Sequence, residues 1–364
     1  MKFRCERDAL LEALTTTGRA AGTRGGYQLV LSGVHMALSG DDLTLTATDR
    51  ELTITVHLKV AGAMDGETVV TARLISDVVR SLDAGAVNVE VNDGGIDVES
   101  ARSSFSLQTM SAEDFPKMTA LEDEPVVLEA GNLTAALRQV VKAASTDESR
   151  PVLTGVLLSA EQGGLRMVTT DSYRLALCDL PELELLGSEP SVLVPSRSIQ
   201  EVLRLLEDSD NITLRFSDRE ASFGIGSITV ATRLIEGEFP SYQGLIPTHQ
   251  PNRLTMNRES LISAVRRVRL MAQDSTPIRL DMSSAGLDLS ATTQDVGAAR
   301  EQMDAVYEGE DLTVAFNPEY LLDGAEAATG EEVVLNTVDA LKPAVLRIPE
   351  SEDFLYLLMP VRIN

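Results

Sequence analysis

The hydrophobic and polar residues of the chain follow two periods. Apolar residues at helical spacing predict six helices, at residues 7–19, 73–82, 133–144, 197–206, 258–271 and 318–328. Strict alternation, as at 86–91 and 212–216, predicts half-buried antiparallel strands. Asn132 and Asn257 stand just before two of the helical runs, where their side chains can cap free backbone N–H groups. Helices and antiparallel strands without regular βαβ alternation indicate an α+β fold.

This pattern occurs more than once along the chain. Residues 30–34 read V-L-S-G-V and residues 152–156 read V-L-T-G-V, 122 positions later. In both copies an aspartate follows the glycine after 16 residues, at Asp49 and Asp171. A further step of 122 residues reaches a third copy of the strand pattern, without the glycine and the aspartate.

A second landmark has equally matched spacing. From Arg73 to Phe115 is a step of 42 residues, and from Arg197 to Phe239 is also 42. Two landmarks with matched spacings predict a triplicated chain. Polar, proline-ended connectors at 119–125 and 247–251 separate the copies. We therefore expect three domains, at residues 1–121, 126–246 and 252–364, each with two helices packed on antiparallel sheets.

The charge of the chain is unevenly distributed. The net charge is −25, whereas proteins that bind nucleic acid are ordinarily basic. The six predicted helices together carry +4, so the remainder carries −29. The helix at 258–271 has a charge of +3, and only the last helix is acidic, at −3. Helices that share one surface can face phosphates while an acidic exterior repels them. Alternatively, the six segments are ordinary amphipathic helices whose charged faces point to solvent, which would explain the same distribution of charge.

The sequence lacks the motifs of common catalytic sites. It has neither a phosphate-binding loop nor a G-x-S-x-G elbow, and no helix-turn-helix or zinc-finger signature for reading bases. His35, His57 and His249 do not have metal-ligand spacing with the cysteines, so we predict no metal and no cofactor. Cys5 and Cys178 are expected to be packed thiols in a reducing cytoplasm. These features argue against an enzyme.

Targeting and membrane segments are also not predicted. The N-terminus carries charges within its first eight residues, unlike a signal peptide. No run approaches eighteen uncharged apolar residues, so we expect no membrane span and no membrane partner.

Four motifs stand out in the chain: M-K-F-R-C-E-R-D-A-L-L-E-A-L at the N-terminus, T-T-D-S-Y-R-L-A at 169–176, E-F-P-S-Y at 238–242 and Y-L-L-M-P-V-R at 356–362. Together they resemble the beta sliding clamp family of bacterial DNA polymerase III. The similarity covers the whole chain, including the threefold repeat. It implies a non-catalytic processivity factor built from three DNA-clamp domains, which forms a head-to-tail homodimeric ring around duplex DNA. It also implies a cytoplasmic, nucleoid-associated protein.

The resemblance implies two functional surfaces. Residues facing the DNA in the hole or at its rim would be Arg24, Arg73, Arg138, Lys142, Arg197, Arg204, Asn317 and Tyr320. A pocket between the second and third domains would take a short, mainly apolar peptide. Its partners would be the polymerase III alpha subunit, the clamp loader, other polymerases, mismatch repair proteins and ligase. The pocket would use Leu153, Thr170, Ser172, Tyr173, Arg174, Leu175, Pro240, Leu245, Leu357, Met359, Pro360, Val361 and Arg362.

Two other functions are compatible with the residues alone. A protein-interaction scaffold that never encircles DNA predicts peptide binding but no difference between circular and linear DNA. A hydrolase that uses a pair of carboxylates predicts a bell-shaped dependence of rate on pH.

Overall fold

Six α-helices form in the part of the chain that the structure, a computed structural model, describes. That part leaves out residues 23–28, 93, 118–123, 162, 182, 184, 187–190, 207–210, 273–275, 350 and 363–364. The helices are α1 (Arg7–Gly18), α2 (Ala72–Ser81), α3 (Ala130–Val141), α4 (Ser196–Leu205), α5 (Arg258–Val268) and α6 (Pro318–Ala327). Each begins within three residues of its predicted start, which confirms the six predicted helices.

A strand precedes the first helix of each repeat, whereas the sequence pattern predicted that the helix comes first. These strands are β1 (Lys2–Glu6), β11 (Val126–Glu129) and β19 (Asn252–Asn257). Because α3 begins at Ala130, Asn132 lies inside its first turn, and the prediction that Asn132 caps this helix is wrong. Asn257 does cap α5: its side-chain oxygen accepts a hydrogen bond from the Ser260 N–H at 2.9 Å.

The described residues form two compact units. The first comprises Met1–Ala130 and Arg204–Leu234. It contains a five-stranded antiparallel sheet and a nine-stranded antiparallel sheet. In spatial order the smaller sheet has β5 (Ala61–Met64), β1, β7 (Ala86–Asn92), β8 (Gly95–Ser100) and β9 (Ser103–Leu107). The larger has β10 (Thr109–Met110), β6 (Gly66–Thr71), β2 (Gly33–Ser39), β3 (Asp42–Thr48), β4 (Leu52–Lys59), β18 (Ile228–Arg233), β17 (Glu220–Ile225), β16 (Asn211–Phe216) and β11.

The second unit comprises Gly131–Leu203 and Ile235–Asn364. Its described strands form a nine-stranded sheet and a four-stranded sheet, again antiparallel. The larger has β15 (Ser191–Pro195), β12 (Gly155–Glu161), β13 (Gly164–Thr170), β14 (Arg174–Pro181), β27 (Ser351–Leu358), β26 (Ala344–Ile348), β25 (Glu332–Thr337), β19 and β23 (Ala305–Glu308). The smaller has β22 (Gly297–Met303), β21 (Gly286–Thr293), β20 (Ile278–Ser283) and β24 (Leu312–Phe316).

The compact units do not coincide with the sequence repeats. Strands β11, β16, β17 and β18 of the central repeat belong to the first unit, whereas β12 to β15 belong to the second. The reason is strand pairing between repeats, since β4 pairs with β18 and β14 pairs with β27. Each nine-stranded sheet is therefore continuous across two repeats.

The helices bury an apolar stripe against the sheets. Helix α1 packs on α2, β3 and β4 and buries Leu10 and Leu14. Helix α5 packs on α6, β21 and β22 and buries Leu261 and Val265. Full burial of one leucine contributes about 2 kcal/mol relative to an exposed one. The opposite face of α5 carries Arg266 and its neighbouring arginine, so the helical period separates the core from the charged surface.

The repeated glycine marks a place without room for a side chain. A Cβ on Gly33 would lie 2.4 Å from Cγ1 of Val69, and one on Gly155 would lie 2.7 Å from Cγ of Leu193. Both glycines open a strand at the same point of their repeat. The repeated V-L-[ST]-G-V motif therefore reflects close packing of the sheet rather than chemistry.

The repeated aspartate closes a hairpin turn. Oδ1 of Asp49 and of Asp171 accepts hydrogen bonds from the backbone N–H groups two and three residues further on, at 2.8–3.0 Å. The next residue has a left-handed backbone in both copies, with φ of 78° at Arg50 and 81° at Ser172. The aspartate stabilises this turn because its carboxylate oxygen accepts these hydrogen bonds in place of a backbone carbonyl oxygen.

Candidate functional site

Strands β14 and β27 bring two distant motifs together. Arg174 lies opposite Leu358 in this antiparallel pair, and Leu175 lies opposite Leu357. The pairing continues past the end of β27, where the Met359 N–H donates to the Tyr173 carbonyl oxygen at 2.9 Å. The T-T-D-S-Y-R-L-A and Y-L-L-M-P-V-R motifs are therefore neighbours in space, although 180 residues separate them in the chain.

A cavity of about 380 Å³ opens beside this junction. Its walls are largely apolar, and Tyr173 is 60% exposed at its mouth. Such a cavity accepts an apolar side chain, with a few polar groups to orient it. The lining residues are Tyr173, Thr276, Pro277, Asn317, Pro318, Tyr320, Met359, Pro360 and Val361.

Two of these residues were expected at a different surface. The resemblance placed Asn317 and Tyr320 among the residues that face DNA, whereas the structure places both in the cavity wall with Met359. Asn317 also begins α6, because its Oδ1 accepts from the N–H groups of Glu319 and Tyr320 at 2.8 and 3.3 Å. The start of α6 therefore fixes one wall of the cavity.

The remaining predicted pocket residues divide between core and surface. Leu175 and Leu357 belong to a buried cluster with Tyr242, and Leu153 is also buried. Pro240, Leu245 and Arg362 are exposed. The lining of the cavity does not include these six among the residues that the structure describes.

The hairpin residues of this group have structural partners. Thr170 is buried, and its hydroxyl donates to the Arg174 carbonyl oxygen at 2.6 Å. The Ser172 hydroxyl accepts a hydrogen bond from the Arg150 guanidinium at 3.1 Å. These contacts shape the turn from which Tyr173 projects.

Arg174 is a buried hub rather than an exposed ligand group. Its guanidinium donates to Asp171 at 3.0 Å and to Asp323 on α6 at 2.5 Å. It also donates to the Lys142 carbonyl oxygen at 2.6 Å and to the Tyr356 hydroxyl at 3.2 Å. A buried guanidinium is stable only when its donors are satisfied in this way. Arg174 therefore links β14, the end of α3, α6 and β27.

The same side chain connects the hub to the cavity. The guanidinium carbon of Arg174 lies 4.4 Å above the ring centre of Tyr320, a cation–π contact. Burial raises the pKa of the Tyr356 hydroxyl, an effect that the nearby Arg174 opposes. Tyr356 packs against Gly324 of α6, where an added Cβ would lie 2.6 Å from the ring. The cavity wall is thus held from behind by close packing and by ion pairs.

The predicted DNA-facing cations lie on the helices. Arg73 of α2, Arg138 of α3, and Arg197 and Arg204 of α4 are exposed. Arg24 lies outside the described residues. Lys142, directly after α3, donates to Glu326 of α6 at 2.6 Å and lies 3.6 Å from Asp323.

Sequence reasoning did not name several residues that lie beside the predicted ones. Thr276, Pro277 and Pro318 line the cavity, and the only signal in the sequence was the position of Pro318 beside Asn317. Arg266 lies on the exposed face of α5, where the charge of +3 on that helix was the available signal.

Two further properties concern the described residues alone. They contain no group of three or more histidine, cysteine, aspartate or glutamate side chains that could hold a metal ion. No helix among them has both the length and the apolar character needed to cross a membrane.

Three family models match consecutive parts of the chain. The model of the DNA polymerase III beta subunit N-terminal domain matches residues 1–119. The central-domain model matches residues 127–241, and the C-terminal-domain model matches residues 243–362.

Individual relatives are similar over the full length. The beta sliding clamp of Streptomyces coelicolor is 31% identical over 376 residues, which covers 100% of both chains. A sliding clamp of Bartonella birtlesii, solved bound to griselimycin, superposes with a TM-score of 0.94 at 30% identity and covers 100% of both chains. The DNA polymerase sliding clamp of Bacillus subtilis superposes with a TM-score of 0.92 at 27% identity, again over 100% of both.

Proposed function

Because the chain belongs to the DNA polymerase III beta subunit family of sliding clamps, we propose that two copies close head to tail into a ring around duplex DNA. The chain is a non-catalytic DNA sliding clamp that gives the polymerase its processivity. It contains three clamp domains of mixed α and β structure, for which we propose the bounds 1–121, 126–246 and 252–364.

The ring proposal rests on how successive repeats join. In each join, a strand of one repeat pairs with the last strand of the next, β4 with β18 and β14 with β27. The equivalent strand of the third repeat is β22, and the strand of the first repeat that is equivalent to β18 and β27 is β9. Both lie at sheet edges among the described strands, and an open edge favours pairing with another chain. The same join between two copies, made twice, closes a ring.

The helix cations support sequence-independent contact with DNA. Arg73, Arg138, Arg197 and Arg204 are exposed on helices of a strongly acidic chain. Contacts from such residues to phosphates carry no base information. A topological link also requires little affinity, so a net charge of −25 is compatible with encircling DNA.

The cavity beside β14 and β27 is proposed to bind partner peptides. Its apolar walls and its two tyrosines, Tyr173 and Tyr320, suit a short apolar peptide, and Asn317 belongs to this site. Arg174 positions Tyr320 from behind. The proposed partners are the polymerase III alpha subunit, the clamp loader, other polymerases, mismatch repair proteins and ligase. The proposed location is the cytoplasm, in association with the nucleoid.

Retention on DNA of different topology tests the ring. The protein is loaded on a nicked circular plasmid with a matching clamp loader and ATP, and bound protein is measured before and after linearisation. A ring stays on the circle in moderate salt and leaves the linear form by sliding off its ends. Equal retention on both forms would mean ordinary affinity and would end the ring proposal.

A variant pair controls this measurement. Phe105 on β9 is an exposed aromatic residue at the proposed join, and Leu341 is an exposed apolar residue outside the described strands. Phe105→Arg should abolish retention on the circle, because a charge at the join prevents closure. Leu341→Arg makes the same change in charge and should leave retention intact.

A further inference from the structure

The last helix, α6, binds two cations that come from other segments of the second unit. Glu326 of α6 accepts from Nζ of Lys142 at 2.6 Å and from the guanidinium of Arg266 at 2.7 Å. Lys142 follows α3, and Arg266 lies on α5. One carboxylate therefore bridges two cations that come from separate helices.

The bridge is accessible from solvent. The side chains of Lys142 and Arg266 are 47% and 59% exposed, whereas that of Glu326 is 24% exposed. Partial burial raises the pKa of Glu326, but the hydrogen bonds from Lys142 and Arg266 outweigh this and lower it. The bridging group is thus an ionised carboxylate between two exposed cations.

Carboxylates and phosphates present the same chemistry to lysine and arginine. Both are anions whose oxygens accept charge-assisted hydrogen bonds, and arginine binds either in the same geometry. Exposed ion pairs contribute little, typically below about 1 kcal/mol, so an incoming phosphate can displace the carboxylate. The neighbouring Asp323 is engaged with the buried Arg174 and lies 3.6 Å from Lys142, whereas Glu326 binds both cations and is therefore the exchangeable partner.

We infer that Lys142 and Arg266 form a phosphate-binding site for the duplex backbone, which Glu326 occupies from within the chain until DNA displaces it. The inference rests on the proposed encirclement of DNA and gives the acidic last helix a function. Glu326 weakens the hold on DNA in this part of the ring. A weak hold favours sliding over tight binding.

Substitutions that neutralise these charges, made singly and in combination in the dimer, test this inference. Binding to a short fluorescent linear duplex, over which a ring can thread, is measured by anisotropy between about 50 and 200 mM salt. Glu326→Gln should tighten binding roughly fivefold at the lowest salt, since two exposed ion pairs are removed. The slope of log affinity against log salt should steepen by about 0.9 to 1.8, because each further phosphate that the protein neutralises adds about 0.9. The lower value applies if Asp323, 3.6 Å from Lys142, retains that lysine.

Two controls separate the site from general charge. Glu90→Gln removes an equal charge from β7, where Glu90 pairs with Lys2 at 2.8 Å, and should change affinity by less than about twofold. In a Lys142→Gln, Arg266→Gln background, Glu326→Gln should have no effect beyond that of Glu90→Gln. If E326Q matches E90Q, or acts equally without the two cations, the inference is wrong. Thermal melting of each variant confirms that it is folded.

The outcomes distinguish the inference from the proposal beneath it. If linearisation does not release the wild-type protein from plasmids, the proposal of encirclement fails, whatever affinities the variants have. If the wild-type protein is released but Glu326→Gln binds DNA no more tightly than Glu90→Gln, only the inference fails. Inorganic phosphate at matched ionic strength should leave the tighter binding of Glu326→Gln in place. Loss of that tighter binding would indicate a site for free phosphate and would overturn the assignment to duplex DNA.

Discussion

At the scale of single residues, the buried guanidinium of Arg174 fixes the geometry of the proposed peptide pocket. It donates hydrogen bonds to Asp171, Asp323 and Tyr356. It also stacks over Tyr320, which lines the cavity. Because these partners occupy its donors, we propose that Arg174 positions the wall rather than binding a peptide directly. Removing one member of such a buried network leaves unpaired charges and costs about 3–5 kcal/mol.

The residue that tests the pocket itself is Met359. Its side chain lines the cavity and is partly exposed, so Met359→Ala removes apolar contact from a peptide without emptying the core. We expect roughly tenfold weaker binding of a fluorescent peptide copied from the clamp-binding segment of a polymerase III alpha subunit. Anisotropy measures the affinity. Val127→Ala, which shortens a more exposed apolar side chain on β11 of the first unit, should bind the peptide like the wild type. Equal affinity of both variants would place the peptide elsewhere.

At the scale of elements, the repeats share a strand that runs directly into a helix. Asn257 caps α5 at this junction, whereas Asn132 lies within the first turn of α3. The hydrophobic pattern showed the helices but not the preceding strands. Strand β11 spans only Val126–Glu129 and pairs with β16, a partner about 80 residues further along the chain. A strand this short has no local signal that separates it from a connector.

The two asparagines make a matched pair for thermal unfolding. Asn257→Ala should lower the stability of its unit by about 1 kcal/mol, because a helix N–H loses its partner. The corresponding fall in the melting temperature is about 2–4 °C. Asn132→Ala should leave the melting temperature unchanged or raise it slightly, since alanine favours a helix interior. Differential scanning fluorimetry measures both. A larger loss from Asn132→Ala would contradict the helix start at Ala130.

At the scale of the whole molecule, the internal joins fix a register for the proposed dimer. Ile54 lies opposite Val230, and Ala176 lies opposite Tyr356. By the strand register within each repeat, Ala299 on β22 is the equivalent of Ile54 and Ala176. By the same criterion, Phe105 on β9 is the equivalent of Val230 and Tyr356. Phe105 of one copy is therefore expected to lie opposite Ala299 of the other.

Disulfide formation tests this register. Ser106 then lies opposite Ala298, close enough for a bridge, whereas Ser104 lies two positions out of register and too far. Ser106→Cys with Ala298→Cys should give covalent dimers on mild oxidation, seen on a non-reducing gel. Ser104→Cys with Ala298→Cys should give few. Burial raises the pKa of both native thiols, Cys5 and Cys178, to about 12, so they react slowly at neutral pH. Equal yields from the two pairs would exclude the predicted register.

The sequence by itself determined the helices, the α+β class, the triplication and the family, because periodicity and matched spacing are local or repeated properties of the chain. The tertiary structure alone decided which residues share a site. Asn317 and Tyr320 join Met359 in a cavity wall, and Glu326 bridges Lys142 and Arg266. These contacts form between residues that are about 40 to 180 positions apart. Sequence spacing carries no information about such contacts, because they depend on the pairing of strands and the packing of helices from different repeats.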